Sequence, residues 1–438
     1  MMENTPPVLA ANAMTMVFAL LLIASVVLKS WLSSRQVRHV ARHRNTVPAA
    51  FAAQMPLEAH QKAADYTIAQ QRLGLLEITW SSAVLLGWTL MGGLHTLNLL
   101  TLQWLPPGLW QQLVLLVGFA LIGSLLDLPF GLYRTFVLEQ RFGFNRMTWK
   151  LWLQDGIKGL LVGAVVGLPL AALVLWMMGA AGTWWWLWTW GIWTAFNLLM
   201  MVIYPTWIAP LFNRFEPLQD EVLRKRVTAL MQRCGFTAQG LYVMDSSRRS
   251  AHANAYFTGL GRSKRVVFYD TLLKQLSVDE VEAVLAHELG HFSRKHIPKR
   301  MVSLFAMSLL GFALLGWICQ QTWFYTGLGV LPLPGDPNDA LALLLLGMVL
   351  PLASSFISPV MAQFSRKHEF EADAYAAEHA RSQALESALL KLYQDNASTL
   401  TPDPVYVRFY YSHPPASERL GRLPHRAAGT PEATGASA

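Results

Sequence analysis

The chain has 438 residues, of which 53% are hydrophobic and only 14% charged. Soluble proteins carry roughly 25% charged residues, so much of this length is committed to a bilayer rather than to two or three soluble domains. The formal charge of +8 does not call for nucleic acid, because the positive residues follow a membrane topology, and the isolated Cys234 and Cys319 suggest neither a disulfide framework nor a metal site.

A span needs about 20 mostly apolar residues. Seven segments qualify: 8–30, 74–100, 109–133, 157–179, 184–210, 301–323 and 340–363. The first lacks a preceding basic stretch and has a long apolar core, so it reads as a retained helix rather than a signal peptide. Lysine and arginine set the orientation. They crowd "RQVRHVARHR" after the first span, the loop holding Arg134, Arg141, Arg146 and Lys150 after the third, the stretch from Arg214 to Arg226 after the fifth, and the tail beginning "SRKHEFEAD" after the seventh. Loops 101–108, 180–183 and 324–339 contain none. The alternation places the N-terminus outside and the C-terminus in the cytoplasm.

The expected organisation is a membrane region of five helices at 1–210, a non-membrane segment at 211–300, two further helices at 301–363, a helical segment at 364–427 and a disordered tail at 428–438. Within 211–300, "LQDEVLRKRVTALMQRC" reads as an amphipathic helix and "GLYVMDSS" as a strand with a polar end. "AHANAYFTGLGRSKRVVFYDTLL" reads as a hairpin around "GLGRSKR". "SVDEVEAVLAHELGHFSRKH" reads as a helix in which Ser277 and Glu280 form a capping box.

That helix carries H-E-x-x-H. His287 and His291 stand at i and i+4 on one face, and Glu288 follows the first histidine, placed to act as a general base. A catalytic zinc takes three protein ligands and keeps one position open. A third histidine six residues after His291 would be the metzincin solution, but Ile297 stands there and Arg294 replaces the glycine. His296 is one residue off that register and reads as a cytosolic interface residue. The other solution is a downstream glutamate. In "EFEADAYA", Glu369 and Asp373 share a helical face at i and i+4, so one can be a ligand and the other can hold a ligating histidine. Glu371 points about 200° away from Glu369 and is rejected as the ligand. The plainer alternative is a solvated acidic face balancing Arg366 and Lys367. Gly290, a poor helix former, makes sense where another backbone must approach closely.

Beyond the motif, the chain resembles the integral-membrane CAAX prenyl proteases of the zinc metalloprotease type, also called CAAX prenyl protease 1. The likeness rests on "YRTFVLEQRFGFNRMTW", "YPTWIAPLFNRFEPL", "SSRRSAHANAYFTGLG", "VVFYDTLL", "LAHELGHF", "SRKHEFEADAYA" and "YYSHPPASERL", and covers nearly the whole chain. It implies an α-helical polytopic membrane protein whose seven transmembrane helices enclose a water-filled chamber, with a cytoplasmic-side, gluzincin-like zinc protease domain containing a small β-hairpin or sheet. It implies one Zn2+ per chain on His287, His291 and Glu369, with Glu288 as the catalytic glutamate. Asp373 matches the second acid of the family's E-x-x-x-D motif, a catalytic position, and His413 matches a cleft position from which it would donate to a developing oxyanion. Asn254, Ala255 and Tyr256 lie in "ANAYF", which matches an edge strand able to pair with substrate.

The implied partners are the lipid bilayer and a peptide or membrane-protein substrate, prenylated or not, and no nucleic acid. The chain ends in "TGASA" without an ER retrieval signal, and the loop between the sixth and seventh spans is short. A bacterial-type member in an inner (plasma) membrane is therefore expected. Three rival readings remain open. An HtpX-like stress protease shares the motif but has fewer spans. A transporter would use Asp127 and Glu77 as intramembrane pathway residues. A catalytically dead scaffold would tend to lose Glu288.

Overall fold

The computed structural model describes residues 6–236, 240–258 and 265–423. The expected hairpin turn and the expected disordered tail lie outside the described residues.

The N-terminal half is a set of long apolar helices. α1 (Pro6–His43) has 38 residues and is roughly 57 Å long at 1.5 Å per residue, so its arginine-rich end projects beyond a core about 30 Å thick. α2 (Leu57–Trp88) and α3 (Gly93–Trp104) form a pair bent by 49°. The segment expected as one continuous span, 74–100, is therefore broken. At the break Gly92 takes a left-handed φ of 79°, and a Cβ at Gly93 would fall 2.6 Å from the Gly87 carbonyl oxygen, so the turn requires glycine at both positions.

α4 (Leu109–Tyr133) runs into a π-helical turn. α5 (Trp149–Ala180) starts where the Thr148 hydroxyl accepts from the Leu151 amide. α6 (Trp185–Ile203) continues through a second π-helical turn into the short α7 (Ala209–Phe212). Leu160, Leu161 and Val165 on α5 and Trp188 on α6 are exposed, as the lipid-facing side of a span requires. Among the described residues six helices are long and apolar enough to cross a membrane, and the α2–α3 pair makes seven. The protein is thus a polytopic helical membrane protein whose spans enclose a chamber.

The non-membrane part begins with β1 (Phe215–Pro217) and α8 (Glu221–Arg233), capped by Asp220. It continues through β2 (Gly240–Met244), β3 (Ala255–Thr258), β4 (Arg265–Tyr269), α9 (Asp270–Gln275) and α10 (Val278–Ser293). The strands form one four-stranded sheet in the order β1-β2-β4-β3. β3 and β4 pair antiparallel, which agrees with the expected hairpin, whereas β2 and β4 pair in parallel. β3 is an edge strand. Val227 and Leu230 of α8, Phe268 of β4, and Val281, Leu285 and Leu289 of α10 fill the core beneath the sheet. Arg249 fastens this unit to the spans: its guanidinium grips both carboxylate oxygens of Asp155 on α5, at 2.8 and 3.0 Å, and donates to the Phe212 carbonyl at 2.6 Å.

After α10 come α11 (His296–Ile318), α12 (Thr322–Gly327), the 41-residue α13 (Asp339–His379), α14 (Ser382–Asp395), α15 (Pro404–Tyr410) and α16 (Ala416–Leu420). α13 carries both the last apolar span and "EFEAD". The expected boundary between residues 363 and 364 falls inside it.

Candidate metal centre

The site is made where α10 crosses α13. The N-terminus of α10 is fixed by the expected capping box: the Ser277 amide donates to Glu280 Oε2 at 2.7 Å, and the Glu280 amide donates to the Ser277 hydroxyl at 3.4 Å. The same carboxylate accepts from Ser387 at 2.6 Å and Lys391 at 2.8 Å, which ties α10 to α14. Near the other end, Gly290 lets the helices meet, since a Cβ there would stand 2.9 Å from the Ala372 Cα. Residues one turn apart on α10 then face one side of α13.

This contact brings together His287, His291 and Glu369, whose donor atoms all lie within 4.8 Å of one another. His291 Nε2 is 3.3 Å from Glu369 Oε1 and 3.3 Å from His287 Nε2. Glu369 Oε2, 3.4 Å from His287 Nε2, is buried and forms no hydrogen bond. A buried carboxylate oxygen without a donor is costly. With His287 Nε2 beside that oxygen and His291 Nε2 beside the other oxygen of the same carboxylate, the three side chains form a His2Glu donor set of the kind that binds zinc, so these residues fit a metal ion.

His287 is held from behind. Its Nδ1 lies 2.8 Å from Asp373 Oδ1. Arg419 on α16 grips the same carboxylate with Nε at 2.8 Å and Nη2 at 2.5 Å. Arg419 is buried, so α16 packs onto the site through this pair. Burial alone would lower the His287 pKa, but the neighbouring Asp373 and Glu369 carboxylates carry it up to about 9. Burial pushes the Glu288 carboxyl up.

Glu288, His291, Glu369 and His413 line a cavity of about 960 Å3. His413 Nε2 is 3.3 Å from Glu369 Oε1, and its ring is exposed to that space. Asn254 is exposed, and its Oδ1 accepts the Ala255 amide at 2.8 Å, so its side chain caps local backbone. Ala255 and Tyr256 pair with β4 across Phe268 and Val267, and β3 touches α10.

One expectation fails. His296 is not an interface residue. It is 4% exposed, its Nδ1 lies 2.9 Å from His291 Nδ1, and its Nε2 lies 2.9 Å from Glu371 Oε2. Five residues along a continuous helix the ring would point about 140° away. Here α10 has already ended, and Lys295 takes a left-handed φ of 57° that swings the chain back. The histidine itself, close after the motif, was the available signal. Glu77, which the transport reading needs as a free acid, is paired with Arg134 at 2.6 Å.

Comparison with known proteins agrees with this architecture. Residues 36–214 match the family model for the CAAX prenyl protease N-terminal region of five membrane helices, and residues 217–427 match that for peptidase family M48. The chain is 36% identical to a CAAX prenyl protease 1 homolog of Oryza sativa subsp. japonica, over 72% of this chain and 73% of the relative. It is 37% identical to CAAX prenyl protease 1 of Saccharomyces cerevisiae, over 72% of each. The crystal structure of S. mikatae Ste24p superposes with a TM-score of 0.87 at 32% identity, covering 94% of this chain and 99% of that one. These relatives are eukaryotic and lend no support to the expected bacterial inner membrane. The chain belongs to peptidase family M48, among the integral-membrane metalloproteases that include CAAX prenyl protease 1.

Proposed function

We propose that this chain holds one zinc ion on His287, His291 and Glu369 and hydrolyses peptide bonds in prenylated or membrane-associated peptides on the cytoplasmic side of its membrane. The observation that carries the metal is the Glu369 carboxylate, one of whose buried oxygens has no hydrogen bond, clustered with a nitrogen of each histidine. The relatives named CAAX prenyl protease 1 support the prenylated class. The basic segments after the first, third, fifth and seventh spans support the orientation.

A zinc ion bound there would acidify a water and polarise a scissile carbonyl. Glu288 is the group placed to take the water's proton on its carboxylate and pass it to the leaving amine, and burial, which raises its pKa, favours that return step. Asp373 accepts from His287 Nδ1 and so keeps the lone pair of His287 on Nε2. His413, at the cavity edge of Glu369, is positioned to donate to charge developing on the carbonyl oxygen. β3, an edge strand of the described sheet, with Asn254, Ala255 and Tyr256, offers backbone groups to an extended peptide.

The test is purified protein assayed for zinc content and for cleavage of a farnesylated peptide, as wild type and Glu288→Ala. Full zinc in both, with a rate loss of about 10²–10⁴-fold in the variant, is the expected result. Wild type without zinc, or a variant within a few-fold of wild type, would overturn the reading.

A further inference from the structure

His291 has two ring nitrogens, and only Nε2 faces Glu369 and His287. The other, Nδ1, lies 2.9 Å from His296 Nδ1, and His296 Nε2 lies 2.9 Å from Glu371 Oε2. His296 is buried, with its ring stacked on His368 at 4.0 Å between centroids. The three side chains come from α10, α11 and α13, so the arrangement joins all three elements around the site.

Hydrogen-bond chemistry restricts where the protons can be. An ionised carboxylate only accepts, and a neutral imidazole donates from one nitrogen and accepts at the other. Glu371 therefore accepts a hydrogen bond from the proton that His296 keeps on Nε2. The Nδ1 of a neutral His296 is then bare and must accept. The atom opposite it, His291 Nδ1, must donate. That leaves the lone pair of His291 on Nε2, the atom turned toward the metal position. The reverse placement, with His296 doubly protonated, would move the His291 proton onto Nε2 and block it as a ligand.

We propose that His296 and Glu371 are positioning residues: they fix His291 in the tautomer whose Nε2 can bind metal and hold its ring against rotation. Glu371 faces away from Glu369 and cannot serve His291 directly, and His296 spans the gap. The acids of "EFEAD" then divide three ways. Glu369 faces the metal position, Asp373 holds His287 directly, and Glu371 holds His291 through His296. Each histidine of the motif has its own carboxylate behind it, which is how metal-ligating histidines are commonly oriented.

The inference rests on the metal reading above, and the experiment separates the two. The full-length protein is stripped of metal, and its zinc affinity is measured by competition with a chromophoric chelator, with zinc alone as the probe. His296→Phe keeps a ring to stack on His368 but removes the acceptor, and its zinc affinity is expected to fall about 10–100-fold. His296→Asn keeps an oxygen near the Nδ1 position and should recover most of that loss. Glu371→Leu should weaken zinc by about tenfold, whereas Glu371→Gln, which still offers a carbonyl oxygen, should stay within a few-fold. His368→Phe, which alters only the stacking partner, should leave the affinity within about twofold of wild type. Zinc binding by His296→Phe or Glu371→Leu as tight as wild type would overturn the proposal while leaving the metal reading intact. Wild type that binds no zinc would overturn both. If His296→Phe does not fold, Glu371→Leu, whose site is about one-third exposed, carries the same test.

Discussion

Gly290 and Ala372 touch where α10 crosses α13: a Cβ at Gly290 would stand 2.9 Å from the Ala372 Cα and 3.0 Å from the Tyr375 Cβ. Two effects of Gly290→Ala oppose each other. Alanine is the better helix former by roughly 0.8–1 kcal/mol. The added methyl, however, meets backbone rather than a movable side-chain end, and overpacking of this kind costs about 1–3 kcal/mol. The clash wins. The variant should unfold at lower temperature and, because His287 and His291 move away from Glu369, lose zinc faster under mild chelation. Thermal unfolding followed with and without zinc checks both effects.

The second expectation concerns pH. In the metal-free protein, the Asp373 and Glu369 carboxylates overcome burial and raise the His287 pKa to about 9, above the ordinary 6.5. A protonated imidazole cannot ligate, so zinc must displace that proton. Apparent zinc affinity should therefore rise by up to tenfold per pH unit between about 7 and 9 and flatten above 9. The sign for stability is the reverse. The proton's contribution is fully present below the unfolded pKa and fades as pH rises through about 9. Chelator competition at pH 7, 8 and 9 reads the first effect, and metal-free unfolding across the same range reads the second.

Much of the site could be read in the sequence because it is local. Ser277, Glu280, His287, Glu288, Gly290 and His291 lie on one helix, where spacing alone fixes which side chains share a face. The Glu369 and Asp373 pair is legible for the same reason. His296 was missed because its position depends on the left-handed Lys295, a single backbone rotation that periodicity does not report. The break at Thr89–Gly92 escaped because averaged hydropathy runs smoothly across a two-glycine turn. The parallel pairing of β2 with β4 joins residues 240–244 to 265–269, and no short-range pattern announces it. The grip of Arg419 on Asp373 is not legible in the sequence, because it depends on α16 folding back over the site.

Orientation gives a third prediction. In a Cys234→Ser, Cys319→Ser background, Arg42→Cys and Arg381→Cys should react with an impermeant thiol reagent only from the cytoplasmic side. Asp336→Cys should react only from the opposite side. All three positions are exposed, and the loop at 324–339 holds no lysine or arginine. Reversed labelling would put the metal centre on the other face of the membrane and remove the case for cytoplasmic substrates.

The last prediction compares the three acids of "EFEAD" on α13, which carry equal charge but differ in what they face. Were they a solvated face, neutralising any one would have the same small effect. The geometry instead predicts three outcomes. Glu369→Gln removes the carboxylate facing both histidines, so zinc should be lost and activity abolished. Asp373→Asn leaves the metal-facing atoms in place but weakens the hold on His287 Nδ1 and replaces the carboxylate that Arg419 grips. Zinc should be retained with affinity or activity reduced about 10–100-fold, and because one of the two carboxylates raising the His287 pKa is gone, the pH at which affinity flattens should move down. Glu371→Gln keeps an acceptor for His296 and should bind zinc within a few-fold of wild type. Elemental analysis after graded chelation orders the three variants. If Glu371→Gln lost the metal while Glu369→Gln kept it, the face of α13 assigned to the metal would be the wrong one, and Asp373 would lose its role together with Glu369.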